Sequence, residues 1–393
     1  MKLELIATAT FGLEACVRRE IEKLGYKVLR TEDGKVTYRG DERAIVRSNL
    51  WLRTADRVYL RIAEFSAVTF EELFQQVRAI AWEEVIPADG AFPVVGTSVK
   101  STLHSVPSCQ SIIKKAIVSR LAEMYCTERL PETGAEYRVR FSLLKDRVTL
   151  MVDTSGAGLH KRGYRVRDVA APMKETLAAA LVSLSFWKEG ALRAEARRQD
   201  PPRLLADPCC GSGTILIEAA MMARNIAPGL RRSFASEGWE WIPEKLWKEE
   251  RRLAYEQIDY ESPLLIRGYD IDAKAVEAAK ANAEEAGVLE DIAFYRMDMQ
   301  KFRADEPSGI LITNPPYGER IGEADKIQLI YRKLAQILAE HPDWSLYMIT
   351  TDKTVEEQYF GRKADRRRKL YNGRLETQLY QFYGEKKAKT GGA

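Results

Sequence analysis

From position 172 onward, short apolar strand patterns alternate with helix patterns, and that alternation leaves few folds open to the chain. Strands that run in the same direction need long crossovers, usually helices, so the pattern predicts a doubly wound parallel sheet covered on both faces. Its strands are expected at 204–207, 264–271, 292–298, 309–313 and 346–350, with a last pair at 368–371 and 375–383. Asn372-Gly373 joins that pair, and an Asn-Gly step is a strong two-residue hairpin signal, so an antiparallel strand closes one end of the seven-stranded sheet.

The first 154 residues read differently. Residues 1–66 follow the order strand, helix, strand, strand, helix, strand, with strands at 3–8, 28–32, 35–39 and 57–65 and helices at 13–24 and 42–55. This is the α+β ferredoxin-like arrangement, which hosts many functions and identifies none. Residues 67–154 make a second unit, with helices at 70–85 and after Pro107-Ser108, and strands at 93–99, 137–143 and 147–153. A glycine- and cation-rich connector spans 155–170, the sheet domain 171–384, and a polar tail expected to fray 385–393. More than fifty residues separate the first two strands of the sheet, among them Trp239-Glu240-Trp241 and a helix pattern at 243–258. Such a length exceeds an ordinary connection and marks an elaboration, either structural or substrate-facing.

With 393 residues the chain suits two or three domains. No run approaches the roughly 20 apolar residues of a membrane span, and the start, Met1-Lys2-Leu3-Glu4-Leu5-Ile6, lacks a signal-peptide pattern, so a cytoplasmic protein is expected. The five cysteines (Cys16, Cys109, Cys126, Cys209, Cys210) have no CxxC spacing and only three histidines beside them, which predicts reduced thiols and no metal. Residues 1–165 carry 26 basic and 21 acidic residues against 35 and 36 in the remainder, a tilt compatible with a polyanionic partner for the first half.

Four features line up along the C-terminal ends of the predicted parallel strands, where open α/β sheets bind ligands. After the first strand, Asp207-Pro208-Cys209-Cys210-Gly211-Ser212-Gly213-Thr214 supplies two glycines for a sharp turn into a helix. A dinucleotide fingerprint would need a third glycine at 216, where Leu216 stands, and this disfavours a nicotinamide-dependent oxidoreductase. Asp270 ends the second strand, placed to accept both hydroxyls of a ribose, and Asp298 ends the third, placed to accept the amine of an adenine. The fourth strand leads into Asn314-Pro315-Pro316-Tyr317. Two prolines fix the backbone and remove donors, which leaves acceptors beside an aromatic ring, a device suited to a planar base bearing an amine. The combination predicts methyl transfer from S-adenosylmethionine to the exocyclic amine of a base.

These motifs resemble the successive motifs of class I SAM-dependent methyltransferases acting on base amines. The stretch His160-Lys161-Arg162-Gly163-Tyr164-Arg165 with Ala171-Pro172-Met173-Lys174-Glu175-Thr176-Leu177 is similar to the entry segment of THUMP-domain RNA guanine-N2 methyltransferases, those acting on bacterial 23S rRNA above all. The resemblance covers essentially the whole chain. It implies a Rossmann-like seven-stranded class I methyltransferase domain preceded by a ferredoxin-like domain and an RNA-binding THUMP domain. It further implies Asn314, Pro315, Pro316 and Tyr317 as catalytic residues, and Asp207, Pro208, Cys210, Gly211, Gly213, Asp270 and Asp298 around the cofactor. Lys114, Lys115, Lys161, Arg162 and Arg165 are the expected RNA contacts, with the run Arg366-Arg367-Arg368-Lys369 as a further candidate. A tRNA guanine and an N6-adenine remain alternative targets, because the tetrad fits either amine; a non-catalytic RNA-binding protein is the alternative from another class.

Overall fold

A computed structural model describes residues 2–167, 173–187, 203–316 and 324–385. In chain order the elements are β1 (Leu3–Thr8), α1 (Glu14–Lys23), β2 (Lys27–Glu32), β3 (Lys35–Gly40), α2 (Glu42–Trp51), β4 (Arg57–Ser66), α3 (Phe70–Arg78), β5 (Val94–Val99), α4 (Val106–Met124), β6 (Val139–Leu144) and β7 (Arg147–Asp153). There follow α5 (Glu175–Leu184), β8 (Leu204–Asp207), α6 (Thr214–Ala223), α7 (Glu244–Glu256), β9 (Ile266–Asp270), α8 (Ala273–Ala286), β10 (Ile292–Arg296), β11 (Gly309–Thr313), α9 (Ala324–Glu340), β12 (Ser345–Thr350), β13 (Arg366–Asn372) and β14 (Leu375–Phe382). Two compact units form: Met1–Ala9, Val17–Leu159 and Arg232–Leu253 make one, and Thr10–Cys16, His160–Arg231 and Ala254–Ala393 the other.

In the first unit a single sheet has the order β2-β3-β1-β4-β7-β6-β5. The two portions expected at 1–66 and 67–154 share it, because β4 and β7 pair antiparallel from Tyr59 opposite Asp153 to Ser66 opposite Arg147. Helix α2 stops at Trp51 rather than near 55, since the carboxylate of Glu20 accepts the N–H groups of Arg53 and Thr54 and draws them out of the helix. Likewise α3 ends at Arg78, and a single 3₁₀ turn, Trp82–Glu84, replaces the expected continuation to 85. Trp82 is fully buried there, and its indole N–H donates to the Val77 carbonyl in the last turn of the helix, which also accepts the Ile80 N–H at 3.3 Å.

Part of the long insertion belongs to this unit. Trp239 stacks on Tyr137 at 4.9 Å and 15° and donates through its indole N–H to the Glu136 carbonyl, while Trp241 donates to the Val85 carbonyl. Arg43 on α2 reaches Glu249 and Glu250 on α7 at 3.2 and 2.8 Å. Residues 232–253 are therefore structural, and the aromatic pair alone contributes about 1 kcal/mol beyond the area it buries.

The second unit is built on a sheet of order β10-β9-β8-β11-β12-β14-β13. Strands β8 to β12 are parallel, and β14 alone runs against its neighbours, as the Asn372-Gly373 turn predicts. Both β8 and β11 are buried along their whole length, which fits strands covered on two faces. Phe302, Leu311, Tyr331, Trp344 and Leu346 lie in the core between α9 and the sheet. Leu216, where a dinucleotide fold has glycine, packs without obstruction because β9 faces it with Gly268; a Cβ there would sit 2.6 Å from Leu216 Cδ1.

Candidate active site

Strand β8 lies at the switch of the sheet, with β9 on one side and β11 on the other, so the loops after these strands open into one crevice. The chain leaves β8 at Asp207 and turns through Gly211 and Gly213, whose φ angles of +53° and +78° lie in the left-handed region that favours glycine. At Gly213 the space is tight as well, since a Cβ would lie 3.0 Å from Ala279 Cβ and 3.2 Å from Phe294 Cζ. The Cys210 N–H donates to the Tyr269 carbonyl on β9, and the Gly213 N–H returns to the Cys210 carbonyl. This loop delivers the N-terminus of α6, with its outward-facing N–H groups, to the crevice.

Three carboxylates surround the loop. Asp270 accepts from Gly211 N–H at 2.9 Å with one oxygen and from Asp272 N–H at 2.9 Å with the other, so loop and second strand end are fastened together with lone pairs to spare. Asp298 accepts from Gln300 N–H at 2.9 Å, the cap of a short 3₁₀ turn. Asp207 is buried, and its Oδ1 accepts from Cys209 N–H at 3.0 Å and from the Thr313 hydroxyl at 2.7 Å. Burial pushes the Asp207 carboxyl up to about 7, helped by the charge of Asp270 and opposed by the Thr313 and Cys209 hydrogen bonds. Burial, with the charges of Asp207 and Asp270, also holds the Cys209 and Cys210 thiols well above their ordinary value, which leaves them protonated packing groups.

Thr313 is the last residue of β11, so the Asp207–Thr313 bond ties the glycine loop to the start of the tetrad. Asn314 is half-buried, Pro315 buried and Pro316 exposed; Tyr317 lies outside the described residues. Sequence reasoning did not single out Thr313, although its place directly before the tetrad was available as a signal.

The connector corrects an expectation. Arg162 is not a surface cation, and Arg165 is half-buried with its guanidinium engaged inside the second unit. Arg162 is buried against Glu218 of α6, its Nε 3.3 Å from Oε1, and Tyr164 donates its hydroxyl to the same carboxylate at 3.1 Å. Burial alone would lower the Arg162 pKa, and the charge and hydrogen bond of Glu218, with the charges of Tyr164 and Glu175, together raise it instead. Arg165 donates to Glu175 Oε1 at 2.8 Å, the Met173 carbonyl at 2.8 Å, Thr214 Oγ1 at 3.2 Å and Ser212 Oγ at 3.3 Å. It thereby braces the loop between the two glycines and the first turn of α6. The buried glutamates Glu175 and Glu218 require counter-charges, and these arginines provide them. In the first unit, Lys114 is engaged by Glu132 at 2.6 Å and the Phe92 carbonyl at 3.1 Å, whereas Lys115 is exposed; Lys161 in the connector is exposed too.

The crevice fits S-adenosylmethionine. It combines a tight glycine turn with a rim of carboxylates, and the cofactor is a net cation carrying a ribose and an adenine. Among the described residues no group of three His, Cys, Asp or Glu side chains is arranged to hold a metal, and no helix is long and apolar enough to cross a membrane.

A parallel sheet with this switch point, this loop and these strand-end carboxylates defines a class I SAM-dependent methyltransferase. Comparison with known proteins agrees. The RMKL-like methyltransferase domain matches residues 162–381, the ferredoxin-like domain of RlmL residues 4–59 and the THUMP domain residues 67–153. The chain belongs to the RMKL-like methyltransferase family and is a SAM-dependent RNA methyltransferase. It is 48% identical over 386 residues to YpsC of Bacillus subtilis (strain 168), provisionally named an RNA methyltransferase, covering 98% of this chain and 97% of that one. It is 35% identical over 392 residues to the ribosomal RNA large subunit methyltransferase K/L of Syntrophotalea carbinolica, covering 97% of this chain but only 53% of the relative, so the chain spans about half of that enzyme. Among solved structures, SMU.472, a provisionally assigned methyltransferase complexed with SAH, superposes with a TM-score of 0.90 at 44% identity, covering 98% of this chain and 99% of that one. A protein from Listeria monocytogenes, named as a predicted N6-adenine-specific DNA methylase, superposes with a TM-score of 0.90 at 47% identity, covering 98% and 97%.

Proposed function

We propose that this methyltransferase modifies the exocyclic N2 amine of a guanine in RNA, with 23S rRNA as the substrate. The observation that carries the reading is the Asp207–Thr313 bond, which fastens the acceptor tetrad to the cofactor loop within one crevice. Bound there, S-adenosylmethionine supplies an electrophilic methyl group. Gly211, Gly213, Pro208 and Cys210 would shape its cradle, Asp270 would accept from its ribose, Asp298 from its adenine, and Asp207 would offset its positive charge.

The chain's own residues act on the other reactant. Asn314 Oδ1 and the Pro315 carbonyl accept the two N–H groups of the guanine amine, which aims the nitrogen lone pair out of the ring plane towards the cofactor side. Tyr317 stacks on the base. No strong base is needed before attack, because the amine loses its proton only after the new C–N bond has made it acidic. The target must leave its stack to reach the tetrad, so the substrate is a loop, bulge or partly unfolded RNA. The first unit, with its THUMP portion, holds that RNA.

The relatives named for ribosomal RNA favour 23S rRNA over tRNA, and the Listeria protein's name keeps N6-adenine as a second reading of the same tetrad. Incubation of the protein with S-adenosylmethionine and unmodified 23S rRNA or tRNA, followed by nucleoside mass spectrometry, decides between them. N2-methylguanosine in the rRNA alone is the expected result; N6-methyladenosine, or N2-methylguanosine confined to tRNA, would overturn the assignment.

A further inference from the structure

Residues 362–374 contain seven cations, Arg362, Lys363, Arg366, Arg367, Arg368, Lys369 and Arg374, and one acid, Asp365. They run along β13, the edge strand of the second sheet, into the Asn372-Gly373 turn. Neighbouring acids neutralise a part: Glu356 lies 3.4 Å from Arg367, and Glu376 pairs with Lys369 at 2.6 Å and with Lys353 at 2.9 Å. Lys363, Arg366 and Arg374 are exposed and make no ion pair among the described residues. Edge strands carry charge to resist aggregation, and a single lysine serves that purpose. A density of this kind calls for a polyanion.

The direction of the strand matters. β13 is antiparallel to β14, and β14 is antiparallel to β12, so β13 runs the same way as β12 and β11. Its last residues therefore lie at the same end of the sheet as Asn314, three strand spacings or about 14 Å across from β11. An aromatic pair sits there. Phe11 packs edge-on to Tyr371, with centroids 6.3 Å apart and planes at 79°, and stays 46% exposed. It is held in place by Gly12, which has φ of +90° and presses so close to β13 that a Cβ would fall 2.7 Å from the Lys369 carbonyl oxygen. Lys369 Nζ stands 5.5 Å over the Tyr371 ring.

We propose that β13 and its hairpin form a docking strip for the single-stranded RNA flanking the target base, with phosphates meeting Lys363, Arg366 and Arg374 and one base stacking on Phe11. Cations that track a backbone and an aromatic that accepts any base are the two components of sequence-tolerant single-strand binding. The proposal rests on the RNA reading above.

Binding of a fluorescein-labelled RNA hairpin with a guanine-containing loop, measured over a range of salt concentrations, tests it. The combined variant Lys363→Gln, Arg366→Gln and Arg374→Gln is expected to weaken binding by about tenfold or more and to reduce the slope of log Kd against log salt by about 2 to 3. Phe11→Ala alone is expected to cost about tenfold with the slope unchanged. Affinity for S-adenosylmethionine, which reports that the second unit is folded, stays at the wild-type value in both variants; should the combined variant lose it, Arg374→Gln in the exposed turn takes its place and is expected to lower the slope by about 1. Wild-type affinity and slope in the variants would overturn the strip, as would equally tight wild-type binding of a duplex DNA of matched length. Failure of the wild-type protein to bind or methylate any RNA would instead defeat the functional reading itself.

Discussion

The connector, residues 160–167, and the edge segment, residues 362–374, are both rich in cations, and the fold turns Arg162 and Arg165 of the first inward while most of the second stay exposed. In the connector, Arg162 and Arg165 meet Glu218 on α6 and Glu175 on α5, two carboxylates that the packing of the second unit has removed from water. On β13 only Leu370 is buried, and the cations around it project from a strand that has sheet on one side alone. The difference teaches that the acids on facing elements, rather than the basic residues themselves, decide whether a basic cluster becomes scaffold or interface. A buried glutamate draws in an arginine, as Glu356 does with Arg367 even on the edge strand, while Arg366 stays exposed to solvent.

The comparison can be broken most severely at Arg162. Removing one partner of a buried ion pair strands the other, so Arg162→Ala is expected to lower unfolding stability by about 3–5 kcal/mol in urea titration. Replacing both partners by apolar residues, Arg162→Met with Glu218→Leu, is expected to recover most of that loss. A wild-type midpoint for the single variant would mean that Arg162 is not a structural counter-ion.

A smaller effect is expected at Arg165, which touches the cofactor loop through Ser212 and Thr214. Arg165→Ala should raise the Kd for S-adenosylmethionine about tenfold in calorimetry and leave affinity for the RNA hairpin within about twofold, with Arg165→Lys intermediate because lysine lacks the fork of donors. The reverse pattern, with RNA affinity lost and cofactor affinity kept, would restore Arg165 to the RNA surface.

The smallest effect concerns pH. Asp207 rises from an ordinary carboxylate value to about 7 in the folded protein, so its contribution to stability is fully present below about pH 4 and is lost as pH rises through 7. For a cationic cofactor the sign is opposite. Affinity for S-adenosylmethionine should tighten as pH rises through about 7, by no more than about tenfold per pH unit, and Asp207→Asn should flatten the profile. An unchanged profile in that variant would show that the titrating group lies elsewhere.

Much of this architecture is legible in the sequence. The bounds of β1, β7, β8 and β11 follow directly from apolar runs closed by turn residues, and Asn372-Gly373 announces the one reversed strand. Asp207, Gly211, Gly213 and Asp270 come together because a parallel sheet brings its strand ends to one edge whatever the details of packing. What escapes is everything decided by a partner distant in the chain. Glu20 ends α2, and Tyr137 secures the insertion through Trp239, yet neither pair leaves a local pattern. For the same reason the fate of Arg162 could not be read from its own segment, since Glu218 lies 56 residues further on.

The central claim, that Asn314 orients a base amine towards the donor bound over β8 to β10, is tested most directly by single-turnover methyl transfer with Asn314→Ala. The account predicts a loss of about 100-fold or more in the transfer rate to N2 of guanine, with affinities for S-adenosylmethionine and RNA unchanged. Transfer at the wild-type rate by that variant would contradict it.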